Sequence, residues 1–303
     1  MAAAKIGDVR ALCAANSAAL QELQALGVDA ATACLDEIAD RNSPISLRII
    51  LIELASSINQ RGDPRLGQLL QSLISDTTET KAVRMQALQW IPQTADQSAG
   101  IALVQMLPNE RDADLEFGIT RALRGFKVPG SVEVLRGELA EEKGHLIRIA
   151  ASHAIAAQGG RDALVLLQTS VSARTTAAGS EDQVEEATIT MHGVMALGEI
   201  PDASSLPILE NIMTNSENSV HIRSKAAETI ATINGANAAE LLRNELRQET
   251  NESLVVYLAR GLLLCGNETD SQYCLQKAES TTDSYAKSEL ERVAHELQRK
   301  GLK

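Results

Sequence analysis

A short helical sequence recurs along this chain, and that repetition constrains the fold more than any single residue does. The clearest copy spans residues 147–163 and reads IRIAASHAIAAQGGRDA. It begins with an apolar residue and Arg148, continues as an alanine-rich stretch, and breaks at Gly159-Gly160. Each copy predicts a helix-turn-helix unit that buries its apolar face against its neighbours. The residues equivalent to Arg148, at intervals of about 32 to 42 residues, are Arg48, Arg84, Glu116, Thr190, Arg223 and Val256.

The repeated residues resemble the HEAT repeat, in the short form found in bacterial phycobilisome-lyase proteins. The match runs from Ile189-Thr190 through Ala196-Leu197-Gly198 to Asp202, and from Ile147-Arg148 to Gly159. The resemblance covers about residues 44–280 and implies an all-α fold. The implied architecture is an α-α superhelix, a right-handed solenoid of about seven HEAT-like helical hairpins with terminal caps. It implies no particular activity.

The positions of the repeats divide the chain into three parts. Residues 1–43 are predicted to form an N-terminal helical cap, residues 44–280 the repeat solenoid, and residues 281–303 a C-terminal capping helix. The long interval between Arg148 and Thr190 contains the polar stretch SVSARTTAAGSED at 170–182. Because this stretch has no apolar period, it predicts a surface-loop insertion.

The charge of the chain argues against two classes of partner. Its formal net charge is −12 over 303 residues. Nucleic-acid binding depends largely on basic side chains that neutralise phosphates, so no nucleic-acid partner is expected. No apolar run reaches the length of a membrane span, so no membrane partner is expected either. An acidic protein instead favours solubility or a basic protein partner.

The four cysteines lie near the two ends of the chain, and two interpretations of them remain open. Cys13, Cys34, Cys265 and Cys274 behave as buried small apolar residues in the first, which predicts a cytoplasmic protein. In the second, Cys13/Cys34 and Cys265/Cys274 form local disulfides, which would place the protein in the periplasm or outside the cell.

Successive repeats place apolar side chains where a wall facing solvent should be polar. Counted from Arg148 and its equivalents, positions −1, +3 and +7 form the apolar core face, and the opposite side is centred on +1 and +5. In HEAT-like solenoids that opposite side is the concave wall. Position +1 holds Ile49, Met85, Phe117, Ile149 and Met191. Position +5 holds Glu53, Gln89, Arg121, His153, Met195 and Glu228.

The apolar residues at +1 have two interpretations. In a tight superhelix, neighbouring helices would cover them and they would serve packing alone. Alternatively, they form an exposed apolar track along the groove floor, flanked by the +5 residues, where a partner protein would bind. All eleven residues are therefore predicted partner-binding residues.

No catalytic, metal-binding or cofactor-binding residue is predicted. Some HEAT-like enzymes hold two irons through repeated His-Glu pairs, but this chain has one such pair, His295-Glu296. A metal site needs several converging ligands. No phosphate-binding loop, nucleophile elbow or small-molecule site is evident.

We therefore expect a non-enzymatic scaffold or adaptor that holds a partner protein segment in its concave groove. The alternative implied by the resemblance is a phycobilin lyase-like accessory protein that acts on a chromophore-bearing partner.

Overall fold

A computed structural model describes residues 28–59, 64–176 and 183–300 of the chain. These residues form helices and short connections and contain no strand. They belong to two compact units, the first ending at Gln158 and the second beginning at Gly159. The predicted all-α architecture is confirmed.

Unit 1 contains eight α-helices within its described residues, together with 3-10 turns at Leu107–Asn109 and Leu123–Gly125. The helices are α1 (Val28–Ala39), α2 (Ile45–Asn59), α3 (Pro64–Ser75), α4 (Lys81–Thr94), α5 (Gln97–Met106), α6 (Ala113–Ala122), α7 (Ser131–Gly137) and α8 (His145–Gln158).

Unit 2 likewise contains eight α-helices in its described residues, with 3-10 turns at Ala203–Ser205, Gly235–Asn237 and Glu268–Asp270. The helices are α9 (Gly160–Thr176), α10 (Gln183–Glu199), α11 (Leu206–Thr214), α12 (Val220–Asn234), α13 (Ala238–Gln248), α14 (Glu252–Cys265), α15 (Ser271–Ser280) and α16 (Ser284–Lys300).

The even-numbered helices carry the repeated sequence and form one layer in each unit. In unit 1, α2, α4, α6 and α8 pack side by side in that order, and in unit 2 the same holds for α10, α12, α14 and α16. Most even-numbered helices also pack against the odd-numbered helix that precedes them. A hairpin therefore consists of an odd-numbered helix followed by an even-numbered one.

This pairing differs from the predicted division of the chain. The sequence division placed the arginine-bearing helix first in each repeat, whereas it is the second helix of the hairpin. As a result, α1 from the predicted N-terminal cap pairs with α2, and α16 from the predicted C-terminal cap pairs with α15. The part of residues 1–43 before Val28 lies outside the described residues.

The predicted surface loop at residues 170–182 is corrected for its first half. Residues 170–176 are the last turns of α9, and residues 177–182 lie outside the described part of the chain. Val171 is fully buried and occupies space beside Gly193 of α10. The polar composition of the segment concealed this buried apolar residue, which packs against the neighbouring helix.

The apolar core follows the predicted repeat positions. In α8, Ile147, Ala151 and Ile155 occupy positions −1, +3 and +7, and all three are buried. The helix ends where Gly159 and Gly160 adopt left-handed conformations with φ of 70° and 79°. Glycine adopts such angles without the steric cost of a Cβ, which explains the break that marks the repeat in the sequence.

Close helix packing at Gly67 gives a testable prediction. A Cβ at Gly67 in α3 would lie 2.8 Å from both Ala95 Cα and Thr94 O, which are backbone atoms and cannot rotate away. Overpacking of this kind costs about 1–3 kcal/mol, and alanine recovers about 1 kcal/mol over glycine within a helix. We expect Gly67→Ala to lower the free energy of unfolding by about 1 kcal/mol in urea denaturation.

Gly137→Ala is the matched control, since no atom lies within 4 Å of a Cβ at Gly137 at the end of α7. This substitution should leave the free energy of unfolding unchanged or raise it by less than about 1 kcal/mol. Equal effects of the two substitutions would show that the contact between α3 and α4 is not tight.

Candidate functional site

The recurring arginine of the repeat is buried and ties neighbouring hairpins together. Arg48 Nε donates a hydrogen bond to the carbonyl oxygen of Ile38 in the preceding helix, at 2.7 Å. Its Nη1 and Nη2 hold the carboxylate of Glu79, in the connection between α3 and α4, at 3.1 and 2.6 Å. The arginine thus links the first hairpin to the second. The same two contacts recur at Arg84, with Ile74 and Glu110, and at Arg223, with Met213 and Glu249.

The arginine–glutamate pairs support the fold. The side chains of Arg48 and Glu79 are only 2% and 3% exposed. The hydrogen bonds from Arg48 hold the pKa of Glu79 below its ordinary value, against the opposing effect of burial. Glu79 also accepts a hydrogen bond at 2.7 Å from the backbone nitrogen of Thr80, next to the start of α4. Its oxygens are engaged in contacts within the protein, so we assign the pair a structural role.

The third repeat reverses the charges of this pair. Glu116 in α6 occupies the arginine position, and Lys143, in the connection between α7 and α8, takes the place of the glutamate. Lys143 Nζ hydrogen-bonds to Glu116 Oε1, and Glu138 Oε2 lies 3.5 Å from the same nitrogen. Sequence analysis missed Lys143 and Glu138. The available signal was an acidic residue at an arginine position, which requires a cation at the partner position 26 to 31 residues later.

Unit 1 brings four of the five predicted +1 residues onto one helical layer. Ile49, Met85, Phe117 and Ile149 occupy the same repeat position on α2, α4, α6 and α8, which pack in that order. Each side chain is partly exposed. Neighbouring helices cover part of them. The side chain of Met85 packs against α6 so closely that a Cβ added at Gly118 would lie 3.2 Å from Met85 Sδ. These residues are therefore neither core residues nor fully exposed ones.

Polar side chains lie beside this row at position +5. Glu53, Gln89 and Arg121 are exposed, and His153 is partly exposed. The guanidinium of Arg121 lies over the ring of Phe117, with its carbon 5.5 Å from the ring centroid. A cation–π contact of this kind orients the aromatic ring on the helix surface.

The remaining predicted site residues lie in unit 2. Met191 and Met195 on α10 are partly exposed, as is Glu228 on α12. Glu228 pairs with Lys225 at 2.5 Å. Ser224, which holds position +1 on α12, is buried. The apolar row is therefore continuous over four helices of unit 1, and we treat the residues of unit 2 separately.

The described cysteines correct the disulfide interpretation. Cys34, Cys265 and Cys274 are free and buried, and Cys13 lies outside the described residues. Burial raises the pKa of the thiols to about 11 for Cys34 and Cys265 and to about 12 for Cys274. These thiols are therefore protonated, weakly reactive packing groups.

Across the described ranges, no group of three or more His, Cys, Asp or Glu side chains is placed to hold a metal ion. None of the helices in those ranges is long and apolar enough to cross a bilayer.

Comparisons with known proteins give a resemblance in fold. No family model matches the sequence, and no curated protein matches it. Among solved structures, the chain is similar to human deoxyhypusine hydroxylase in complex with glycerol, with 17% sequence identity and a TM-score of 0.36. The match covers 87% of this chain and 96% of that one.

The prediction that the chain is not an enzyme is corrected. The solved structure named above is that of an enzyme, deoxyhypusine hydroxylase.

Proposed function

We propose that the chain is a protein-binding scaffold and that the even-numbered helices of unit 1 hold an amphipathic helix of a partner protein. The observation that carries this proposal is the row of Ile49, Met85, Phe117 and Ile149. Four successive helices present a partly exposed apolar side chain at one position. The core is already filled from positions −1, +3 and +7, so packing alone does not require apolar residues there.

The spacing of the row favours a helix over an extended segment. Packed helices lie about 8–10 Å apart, so successive +1 side chains follow at roughly that distance. In an α-helix, residues seven apart lie on one face and about 10.5 Å apart. In an extended chain about three residues span that distance, and every third residue points to the opposite face. A helix of about 22 residues with apolar residues at every seventh position would contact all four helices.

Charge and thiol chemistry support two further parts of the proposal. The net charge of −12 would attract a partner helix whose polar face is basic. The free, buried thiols of Cys34, Cys265 and Cys274 fit a reducing compartment, and on this basis we propose a cytoplasmic location.

Phe117→Asp tests the proposal. Phe117 is the largest member of the row and lies on one of its two central helices, so a buried charge there should weaken partner binding at least about tenfold. Because the side chain is partly exposed, the circular-dichroism spectrum and melting temperature should change little. The measurement is affinity capture from an extract of the native host with mass spectrometry, followed by titration of the captured protein.

Ile101→Asp is the matched control, because Ile101 is 47% exposed but lies on α5, outside the even-numbered layer. A protein captured by the wild type and by Ile101→Asp, but lost with Phe117→Asp, supports the proposal if its binding segment is an amphipathic helix. Equal capture by all three chains, or unfolding of Phe117→Asp, contradicts it.

A further inference from the structure

The charge-reversed pair of Glu116 and Lys143 has a second carboxylate beside it, that of Glu138. Glu116 is buried in α6, while Glu138 and Lys143 lie in the connection from 138 to 144 between α7 and α8. Lys143 Nζ hydrogen-bonds to Glu116 and lies 3.5 Å from Glu138 Oε2. When all three groups are ionised, the cluster has a net charge of −1. Arg48 and Arg84 each face a single glutamate, whereas Arg223 also faces two carboxylates, Glu245 at 3.2 Å and Glu249 at 2.5 Å.

Glu138 is the group left without a full set of contacts. Its side chain is 5% exposed, and its Oε2 has no hydrogen-bond partner among the described residues. Burying an ionised carboxylate with an unsatisfied oxygen is unfavourable in free energy, and protonation of the carboxylate removes most of that unfavourable term. A protonated carboxyl can donate a hydrogen bond to a neighbouring carboxylate.

The surroundings of Glu138 also favour its protonated form. Burial and then the neighbouring carboxylate of Glu116 raise the pKa of Glu138 to about 7, and the charge of Lys143 opposes them only in part. For Lys143 itself, burial lowers the pKa, but the contacts with Glu116 and Glu138 outweigh that effect and raise it. The ammonium therefore stays charged through the neutral range. The other charged or titratable groups on the adjoining elements are Asp114 and Arg121 on α6, Glu133 and Arg136 on α7, Glu141 and Glu142 in the connection, and His145, Arg148 and His153 on α8.

We propose that Glu116, Glu138 and Lys143 form a proton-binding site that controls the connection between α7 and α8. With one proton on the carboxylate pair, the cluster is neutral and holds the connection against α6. When that proton leaves, the excess negative charge loosens the connection. The connection has room to move, since no atom lies within 4 Å of a Cβ placed at Gly137 or Gly144.

The direction of the pH effect follows from the proton balance. The closed connection binds the proton of Glu138 more tightly than an opened one, in which the carboxyl returns toward its ordinary pKa of 4.5. The stabilising contribution is therefore complete below pH 4.5 and is lost as the pH rises through about 7. This inference is independent of the proposed partner.

Hydrogen exchange of the full chain tests the inference by comparing variants at the same pH. Glu138→Gln keeps the shape of the side chain and supplies a neutral donor without a titratable proton. At pH 8, amides of residues 138–145 should exchange at least about tenfold faster in the wild type than in this variant. At pH 5 the difference should be several times smaller. Glu133 is an exposed glutamate paired with Arg136, so the amides of Glu133→Gln should exchange at the wild-type rate at both pH values.

A titration of the wild type by carboxyl carbon NMR supplies a second measurement, which does not depend on the variant folding. One glutamate should titrate near pH 7. If every glutamate titrates below about pH 5.5, or if the exchange difference is the same at pH 5 and pH 8, the proton-binding site does not exist.

Discussion

Arg48→Ala is expected to lower the free energy of unfolding by about 3–5 kcal/mol, the usual cost of removing one partner of a buried ion pair. The substitution removes the hydrogen bonds to Ile38 O and to both oxygens of Glu79. It also leaves the carboxylate of Glu79 in an interior position where it is 3% exposed. The measurement is chemical denaturation of the full chain, followed by circular dichroism.

The pH dependence of Arg48→Ala gives a second check. In the wild type, Arg48 holds the pKa of Glu79 below its ordinary 4.5, so this part of the stability is present above that pH and is lost as the pH falls further. The destabilisation caused by Arg48→Ala should therefore be largest near neutral pH and shrink in acid.

Arg41→Ala is the matched control for the arginine. Arg41 pairs with Asp76 in the same connection between α3 and α4, but its side chain is 54% exposed. Exposed pairs contribute about 0–1 kcal/mol, so this substitution should change the free energy of unfolding by no more than that. Similar losses for Arg41→Ala and Arg48→Ala would rule out burial as the reason for the effect.

Lys143→Met is expected to lower the free energy of unfolding by about 2–3 kcal/mol at pH 8, somewhat less than for a fully buried pair because Lys143 retains some solvent access. The substitution leaves Glu116 and Glu138 together without their cation. At pH 5 the loss should be smaller, because Glu138 then carries a proton and one negative charge remains. Denaturation curves at the two pH values measure the difference.

Lys81→Met provides the control for this arrangement on the surface. Lys81 also faces two carboxylates, those of Asp112 and Asp114, but is 46% exposed. Water screens these charges, so the substitution should change the free energy of unfolding very little, and the change should be the same at pH 5 and pH 8. A pH-dependent loss at Lys81 would mean that the effect at Lys143 does not come from burial.

The sequence predicted the helices better than it predicted their pairing. The 3.6-residue period of apolar positions, seen at Ile147, Ala151 and Ile155, depends on local geometry and correctly identified the core face. Which two helices form a hairpin depends on contacts between segments. A strictly repeated sequence looks the same whether the arginine-bearing helix pairs with the helix before it or with the helix after it. The helical turns at 170–176 were missed because one buried residue, Val171, outweighs a polar composition.

The candidate site shows the same limit of sequence reasoning. The recurrence of Ile49, Met85, Phe117 and Ile149 at one repeat position is visible in the sequence, but their partial exposure depends on how closely the neighbouring helices approach. The contacts of Arg48 were not predictable from its own segment, since Glu79 lies 31 residues away. Glu138 follows Glu116 by the same interval that separates Glu245 from Arg223, but its position beside Lys143 is evident only in the structure.

The arginine contacts also define where the chain can tolerate a change of length. In three repeats the arginine lies 10 residues after the carbonyl that it holds, whereas the glutamate follows it by 31, 26 and 26 residues. The first interval is fixed by one tight turn between two helices, and the second spans a connection and a whole helix. Insertions and deletions during evolution, or in design, should therefore accumulate after each arginine and be excluded from the ten residues before it.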